Sequence, residues 1–421
     1  MELSLSTLKT IGIAAGIFSS LLVLASITLV IIRRTRKIGL GILLGFFAVC
    51  VAGAVYFYFP RSFKRSYLER PADAGRDGFR QYADDLGFYI GTIGDVKNMA
   101  DPRFYRNLNS MTVENALKMG SLVPAFGPDG TPVYDFSRAD AIVAAALAKG
   151  LRVRGHTLIW GKLSDLYKRP DLEAYLVRFP ERDRTVVLRN LVDNHITKVM
   201  TRYRGKIHTW DVVNEPLESW GDGELENNVF YRYLGGGYIA RAFTLAHSID
   251  PDAKLFLNEI FSTYRDGRAE SFYRMVKAFR DNGVPVDGIG LQAHIMTDTS
   301  LGGISEYMNR LADLGFDIEL TEVDARLIQF QFAPDPYQAQ GELYARLLDL
   351  CLHNTRCRGM TFWGFSDDDA WQDDEPLHFP KPNEPYLFDA RMNPKPAYTE
   401  LYKTLKQTYD ARRLAGGTQT N

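Results

Sequence analysis

The feature that most constrains this chain is a repeated unit: a short apolar run, a polar or aromatic tip, then a longer stretch with helical periodicity. The runs are Phe88–Ile93, Ser110–Glu114, Arg152–Trp160, Ile207–Glu215, Lys254–Asn258, Val286–His294, Asp317–Val323 and Arg358–Phe365. Helical patterns fall between them, among them Ala139–Lys149, Thr185–Tyr203, Tyr238–Ser248, Arg268–Asn282, Ile304–Leu314 and Tyr337–Leu352. Near-continuous apolar strands alternating with helices read as a parallel sheet covered on both faces. Eight such units predict an α/β fold closed as a (β/α)8 TIM barrel. A doubly wound open sheet is the alternative, but it would gather its polar tips at one switch point, whereas here they recur on nearly every run.

The N-terminus is different in kind. Ile11–Ile32 and Ile38–Phe59 are each apolar or weakly polar over about the ~20 residues needed to cross a bilayer. They predict two transmembrane helices ahead of the barrel, in contact with membrane lipid. The basic cluster Arg33-Arg34-Thr35-Arg36-Lys37 between them favours a cytoplasmic loop. Both ends of the hairpin then face outward, and the rest of the chain is expected on the extracytoplasmic side. Arg61, Lys64, Arg65 and Arg70 follow the second run and oppose that bias. A cleaved signal peptide fits less well, because the first run is long and a second follows it. The expected organisation is an anchor over 1–60, a linker or surface helix over 61–80, the barrel over 81–410 and a tail over 411–421.

The chain has 421 residues and a formal net charge of -1, which leaves no electrostatic case for nucleic acid. No His/Cys cluster has metal-ligand spacing and no glycine-rich phosphate loop occurs, so no cofactor is implied. Of the three cysteines, Cys351 and Cys357 are close enough in sequence for a local disulfide, with two free buried thiols as the alternative.

The tips carry the chemistry, since barrel enzymes build their sites at the C-terminal ends of the strands. Trp210-Asp211-Val212-Val213-Asn214-Glu215-Pro216 and Asp317-Ile318-Glu319-Leu320-Thr321-Glu322-Val323-Asp324 each end on a glutamate with polar companions. Two carboxylates brought to one site by different strands are the minimum equipment for cleaving a glycosidic bond. Glu215 is the expected acid/base, with the amide of Asn214 beside it for a sugar 2-hydroxyl. Glu322 is the expected nucleophile, oriented and kept ionised by His294. Trp160, Trp363 and Trp371 offer flat apolar faces of the kind that bury a pyranose ring. His156 gains interest only from its tip position, and Lys118, one helical turn past Glu114, can reach the same cleft.

Several stretches then resemble one family, the glycoside hydrolase family 10 endo-β-1,4-xylanases, over residues 85 to 405. They are Met111–Asn115 with Lys118, Val153–Trp160, Trp210–Pro216, Gly288–His294, Thr321–Asp324, Thr361–Gly364, and Pro385–Asp389 followed by Asn393–Tyr398. The resemblance implies retaining hydrolysis of xylan on a (β/α)8 barrel. Glu215 matches the family's acid/base and Glu322 its nucleophile. Glu114, Asn115, Lys118, His156, Trp160, Asn214, Gln292, His294, Trp363 and Trp371 match cleft-lining positions. The Cys351/Cys357 spacing looks like a disulfide found in some members, which suits an external location. The sequence also departs from the family pattern. Gly161-Lys162-Leu163 replaces the usual His-Ser-Gln, Glu259-Ile260-Phe261 replaces an acidic-Tyr-Asn run, and Gln372 stands where arginine often follows the tryptophan. The expected catalytic core is intact while its specificity shell is altered, so another β-linked glycan, transfer to a second sugar, or a tethered glycan-binding protein without catalysis are the alternatives.

Overall fold

A computed structural model describes residues 63–68, 78–161, 171–219, 221–261, 263–296, 299–371 and 382–417, all within one compact unit, Ser62–Asn421. Its centre is a closed barrel of parallel strands: β1 (Tyr89–Ile93), β2 (Ser110–Val113), β3 (Arg152–Trp160), β4 (Thr209–Asn214), β5 (Lys254–Ile260), β6 (Gly288–Ile295), β7 (Asp317–Ala325) and β8 (Cys357–Phe362). Neighbours follow chain order and β8 closes on β1, pairing Tyr89 with Gly359 and Thr92 with Phe362. A small two-stranded hairpin, Ala125–Phe126 with Pro132–Val133, sits in the β2–β3 connection.

The helices that cover the barrel bury one stripe each. In Leu301–Asp313 the buried residues include Ile304, Tyr307, Met308 and Leu311, spaced by three and four. Ser300 starts this helix by accepting the Gly303 N–H, and Asp266 does the same for Gly267–Asp281 through Ala269. Each fully buried Leu or Ile in these stripes contributes roughly 1.5–3 kcal/mol relative to exposure.

The barrel interior also holds charge. Arg154 on β3 bonds Asp211 on β4 at 2.5 and 3.1 Å and Glu319 on β7 at 2.8 Å, with all three side chains buried. Such a group is tolerated because every charge is paired and hydrogen-bonded. Gly290 on β6 makes room for it: a Cβ there would lie 2.2 Å from Asn258 Oδ1 and 3.1 Å from Arg154 Nη2.

Expected and observed strands differ mainly at their tips. β4 stops at Asn214 because Glu215 has left the β region, with φ of 48°. β7 continues to Ala325 even though Glu322 has φ of 61°, and its registers with β6 and β8 shift on either side of that residue. The helix Pro396–Gly417 runs past residue 410, through the start of the expected tail.

Residues 63–68, expected as a linker or surface helix, dock on the barrel unit. The buried Tyr67 ring meets Tyr337 edge-on at 4.9 Å, and its hydroxyl donates to Asp389 Oδ2 at 3.3 Å. Arg65 lies 2.7 Å from Glu384. Cys351 and Cys357 are joined in a disulfide with their Cα atoms 5.2 Å apart. Among the described residues no helix is long and apolar enough to cross a membrane. The two expected spans, Ile11–Ile32 and Ile38–Phe59, lie outside the described residues.

Candidate active site

The C-terminal strand ends open into a cleft of about 650 Å³. Glu114, Asn115 and Lys118 after β2, His156 and Trp160 on β3, and Asn214 and Glu215 at β4 line it. Gln292 and His294 on β6, Glu322 on β7, and Trp363 and Trp371 after β8 complete the set. Every site residue expected from the sequence therefore faces one space.

Glu322 is buried and held from two directions. Asn258 Nδ2 donates to Oε1 at 2.7 Å, and His294 Nε2 lies 3.2 Å from Oε2. His294 Nδ1 is 2.9 Å from Asp324 Oδ2, which also accepts the Trp371 indole N–H at 2.8 Å. Burial opposes charge on this imidazole, but Asp324 and then Glu322 outweigh it and raise its pKa to about 10. At neutral pH both ring nitrogens of His294 therefore donate, one to each carboxylate.

Glu215 has a different setting. It is half-buried, and its Oε1 accepts from Gln292 Nε2 at 3.1 Å and Asn214 Nδ2 at 3.2 Å. These are amide donors, which stabilise the ion less than an imidazolium does. Both glutamates occupy left-handed backbone, which for a residue other than glycine stores roughly 1–3 kcal/mol and persists where surrounding contacts over-determine it.

Around this pair lie the remaining groups. His156 Nδ1 is 2.9 Å from Asp211, and its ring meets Trp363 edge-on at 5.3 Å. Lys118 donates to Asn115 Oδ1 at 2.9 Å and sits 4.8 Å from the Trp160 ring centre. Burial holds its pKa below the usual lysine value, against the attraction of Glu114, Glu322 and Glu215.

Sequence reasoning named Asn258 as a strand tip but gave it no role. It is fully buried at the junction of the site. Nδ2 donates to Asn214 Oδ1 at 2.8 Å as well as to Glu322, Oδ1 accepts from Thr321 Oγ1 at 2.7 Å, and its backbone oxygen accepts the Glu215 N–H at 2.9 Å. The available signal was an amide closing an apolar strand opposite two others. Asp324 and Asp211, which orient the two cleft histidines, were likewise given no role.

The departures from the family pattern have physical consequences. At position 161 an added Cβ would lie 2.1 Å from Asn228 Nδ2 and 2.8 Å from Glu226 Oε2, so the loop after β4 fills the space a side chain would need. Ile260 lines the cleft, whereas Phe261 turns into the core against Phe272 and Tyr307. Lys162, Leu163 and Gln372 lie outside the described residues. Among the described residues no cluster of His, Cys, Asp or Glu could hold a metal ion.

A (β/α)8 barrel whose open end presents two glutamates in unlike surroundings, flanked by tryptophans, is the architecture of a barrel glycoside hydrolase. The model of glycosyl hydrolase family 10 matches residues 78–404. Endo-1,4-beta-xylanase 1 of Gibberella zeae is 31% identical over 363 residues, covering 83% of this chain and 96% of its own. Endo-1,4-beta-xylanase A of Thermoanaerobacterium saccharolyticum is 32% identical over 345 residues, and the matched part is 28% of that longer protein. Xylanase 10B of Thermotoga petrophila RKU-1, solved with xylobiose, superposes with a TM-score of 0.66 at 28% identity, covering 80% of this chain and 99% of that one. The chain belongs to glycosyl hydrolase family 10, the endo-1,4-β-xylanase family of retaining glycoside hydrolases.

Proposed function

We propose that this chain cleaves β-1,4-linked xylan at internal bonds with retention, using Glu322 as nucleophile and Glu215 as acid/base. In the first step Glu322 attacks the anomeric carbon while protonated Glu215 gives its proton to the departing glycosidic oxygen. The C–O bond breaks and a glycosyl ester of Glu322 forms. In the second step Glu215, now ionised, takes a proton from water. The water oxygen attacks the same carbon and releases the Glu322 carboxylate.

The observation that carries this assignment is the asymmetry of the two carboxylates. Glu322 accepts from an imidazolium and a buried amide, charged and neutral donors that fix its two oxygens in the cleft. Glu215 accepts from the amides of Asn214 and Gln292, which are neutral donors. The test is reducing-sugar release from xylan by the full chain in detergent, with Glu322→Ala beside it. Wild-type release with a loss of about 10⁴-fold or more in the folded variant supports the assignment. Wild-type-like activity in that variant refutes it.

The filled space beside Gly161 and the apolar Ile260 favour a second reading of specificity, in which a decorated xylan or another β-linked glycan is the better substrate. A panel of β-glycans ranked by kcat/KM separates the two.

For the N-terminus we propose a two-span anchor over 1–60, a linker over 61–80 and a catalytic domain over 81–410 held outside the cytoplasm. The length and apolarity of Ile11–Ile32 and Ile38–Phe59 support this, as does the Cys351–Cys357 disulfide, which suits an oxidising compartment. Fractionation of cells followed by protease treatment of intact spheroplasts tests it. A catalytic domain in the soluble fraction, or one protected from the protease, overturns it.

A further inference from the structure

Glu215 needs support on its C-terminal side, because left-handed backbone is retained only where neighbouring contacts fix it. Past Glu215 the chain leaves the barrel and folds back on itself. Leu217 bridges Leu225, the Glu218 N–H donates to Glu224 O at 2.9 Å, and the Glu226 N–H donates to Pro216 O at 2.8 Å. Two buried side chains that do not line the cleft tie this excursion to the barrel. They are Glu259, near the end of β5, and Arg268, in the first turn of the helix Gly267–Asp281.

Their hydrogen bonds converge on loop backbone. Glu259 Oε2 accepts the Leu217 N–H at 3.2 Å, and Oε1 accepts the Ile260 N–H at 2.8 Å and Arg268 Nη2 at 2.7 Å. Arg268 Nε donates to Glu218 O at 2.8 Å, and Nη1 donates to Ile260 O. One ion pair thus serves backbone groups at residues 217, 218 and 260. Further along the same helix, Ser271 Oγ donates to Asp222 O at 2.7 Å and holds the far side of the excursion.

We propose that the Glu259–Arg268 pair positions the acid/base, fixing the loop that aims the Glu215 carboxylate at the leaving oxygen. This rests on the reading of Glu215 as the proton donor. A buried ion pair is a poor choice for stability alone, since well-packed apolar residues of similar volume often serve as well or better. What apolar residues cannot supply is directional bonding to both backbone N–H and C=O groups on two loops. Burial also pushes the Glu259 pKa up to about 7, with Arg268 opposing and the charge of Glu215 adding to the rise, so the pair lies within electrostatic reach of the carboxylate it supports.

A purely structural pair and a positioning pair differ in one readout. The full chain and its Arg268→Met, Arg268→Lys and Glu259→Gln variants are assayed on two aryl β-xylobiosides. One carries a phenyl leaving group, which needs protonation, and the other a 2,4-dinitrophenyl group, which does not. The ratio kcat/KM reports the glycosylation step alone. The expected result is a fall of about 10- to 100-fold on the phenyl substrate for Arg268→Met, with the dinitrophenyl substrate within about twofold. Arg268→Lys, which keeps a donor, recovers part of the loss. If Arg268→Met does not fold, Glu259→Gln asks the same question at nearly constant volume. Equal losses on both substrates, or a change in KM alone, overturn the proposal. A wild type inert on both substrates overturns the assignment of Glu215 as proton donor and the positioning role of the pair with it.

Discussion

Replacing Asp324 with asparagine isolates the charge of one residue from its geometry. Asp324 Oδ2 accepts both the His294 Nδ1 proton, at 2.9 Å, and the Trp371 indole proton, at 2.8 Å. An asparagine oxygen at that position keeps both bonds and removes the anion. In the native chain the His294 pKa is raised from 6.5 to about 10, a preference for the charged ring of about 5 kcal/mol. Burial works against that preference and Asp324 is its chief support, so losing the anion lowers the pKa. Above the lowered pKa the ring is neutral with its proton on Nδ1. Nε2 then turns a lone pair toward Glu322 Oε2, 3.2 Å away, and the nucleophile loses a charge-assisted hydrogen bond. Such a bond is worth roughly 1.5–3 kcal/mol, or about 10- to 100-fold in rate. The assay is the pH profile of kcat/KM on a dinitrophenyl β-xylobioside, which removes the protonation of Glu215 from the alkaline limb. The alkaline limb of Asp324→Asn should move down from near 10. A limb that stays in place refutes the argument that Asp324 sets the charge of His294. Stability follows the same sign: a pKa raised in the fold contributes stability that is present below about 6.5 and is lost as pH climbs through about 10.

Asn258→Ala removes bonds to Glu322, Asn214 and Thr321, one of them to a charge, and should lower stability by about 3–5 kcal/mol in urea titrations as well as depress kcat/KM. A loss below about 1 kcal/mol would contradict its central place. Deleting the residues before 78 strips Tyr67 and Arg65 from the barrel unit and should cost roughly 2–3 kcal/mol relative to a chain starting at Ser62, read as a lower Tm. Equal Tm values would mean that the docked segment contributes nothing. The Cys351→Ser/Cys357→Ser pair opens a short loop and should cost about 2 kcal/mol, seen as a Tm difference that vanishes when the native chain is reduced.

The barrel was legible because each strand is a compact apolar run, and parallel strands buried on both faces have few other ways to be written. The two glutamates were legible because each closes such a run. What the sequence concealed is what depends on contacts across the barrel. Asn258 works by meeting Asn214, Glu322 and Thr321, residues 44, 64 and 63 positions away, and an amide at a strand end does not by itself disclose those partners. Arg154, Asp211 and Glu319 read as polar interruptions until three strands bring them together. Ile260 and Phe261 look alike in a linear pattern, yet alternation along the chain sends one into the cleft and the other into the core. The charges around residues 61 to 70 suggested a solvated linker and masked the burial of Tyr67. Glu215 and Glu322 were placed within strands because no local signal separates a glutamate with extended φ from one at 48° or 61°.

That shared backbone conformation connects the hidden residues with the visible ones. A glutamate in regular strand geometry would point its side chain squarely to one face of the sheet. The bulges beside Glu322 and the break after Asn214 turn these carboxylates toward the cleft instead. Asn258 joins the two departures, since its backbone oxygen takes the Glu215 N–H and its side chain takes Glu322 Oε1. The gap between the carboxylates decides whether a sugar is attacked by the protein or by water. A single buried asparagine, bonded through its backbone to Glu215 and through its side chain to Glu322, therefore limits how far that gap can drift, and the Glu259–Arg268 pair limits it again from the far side of Glu215. The reacting groups can tolerate strain because the residues that hold them lie outside the chemistry.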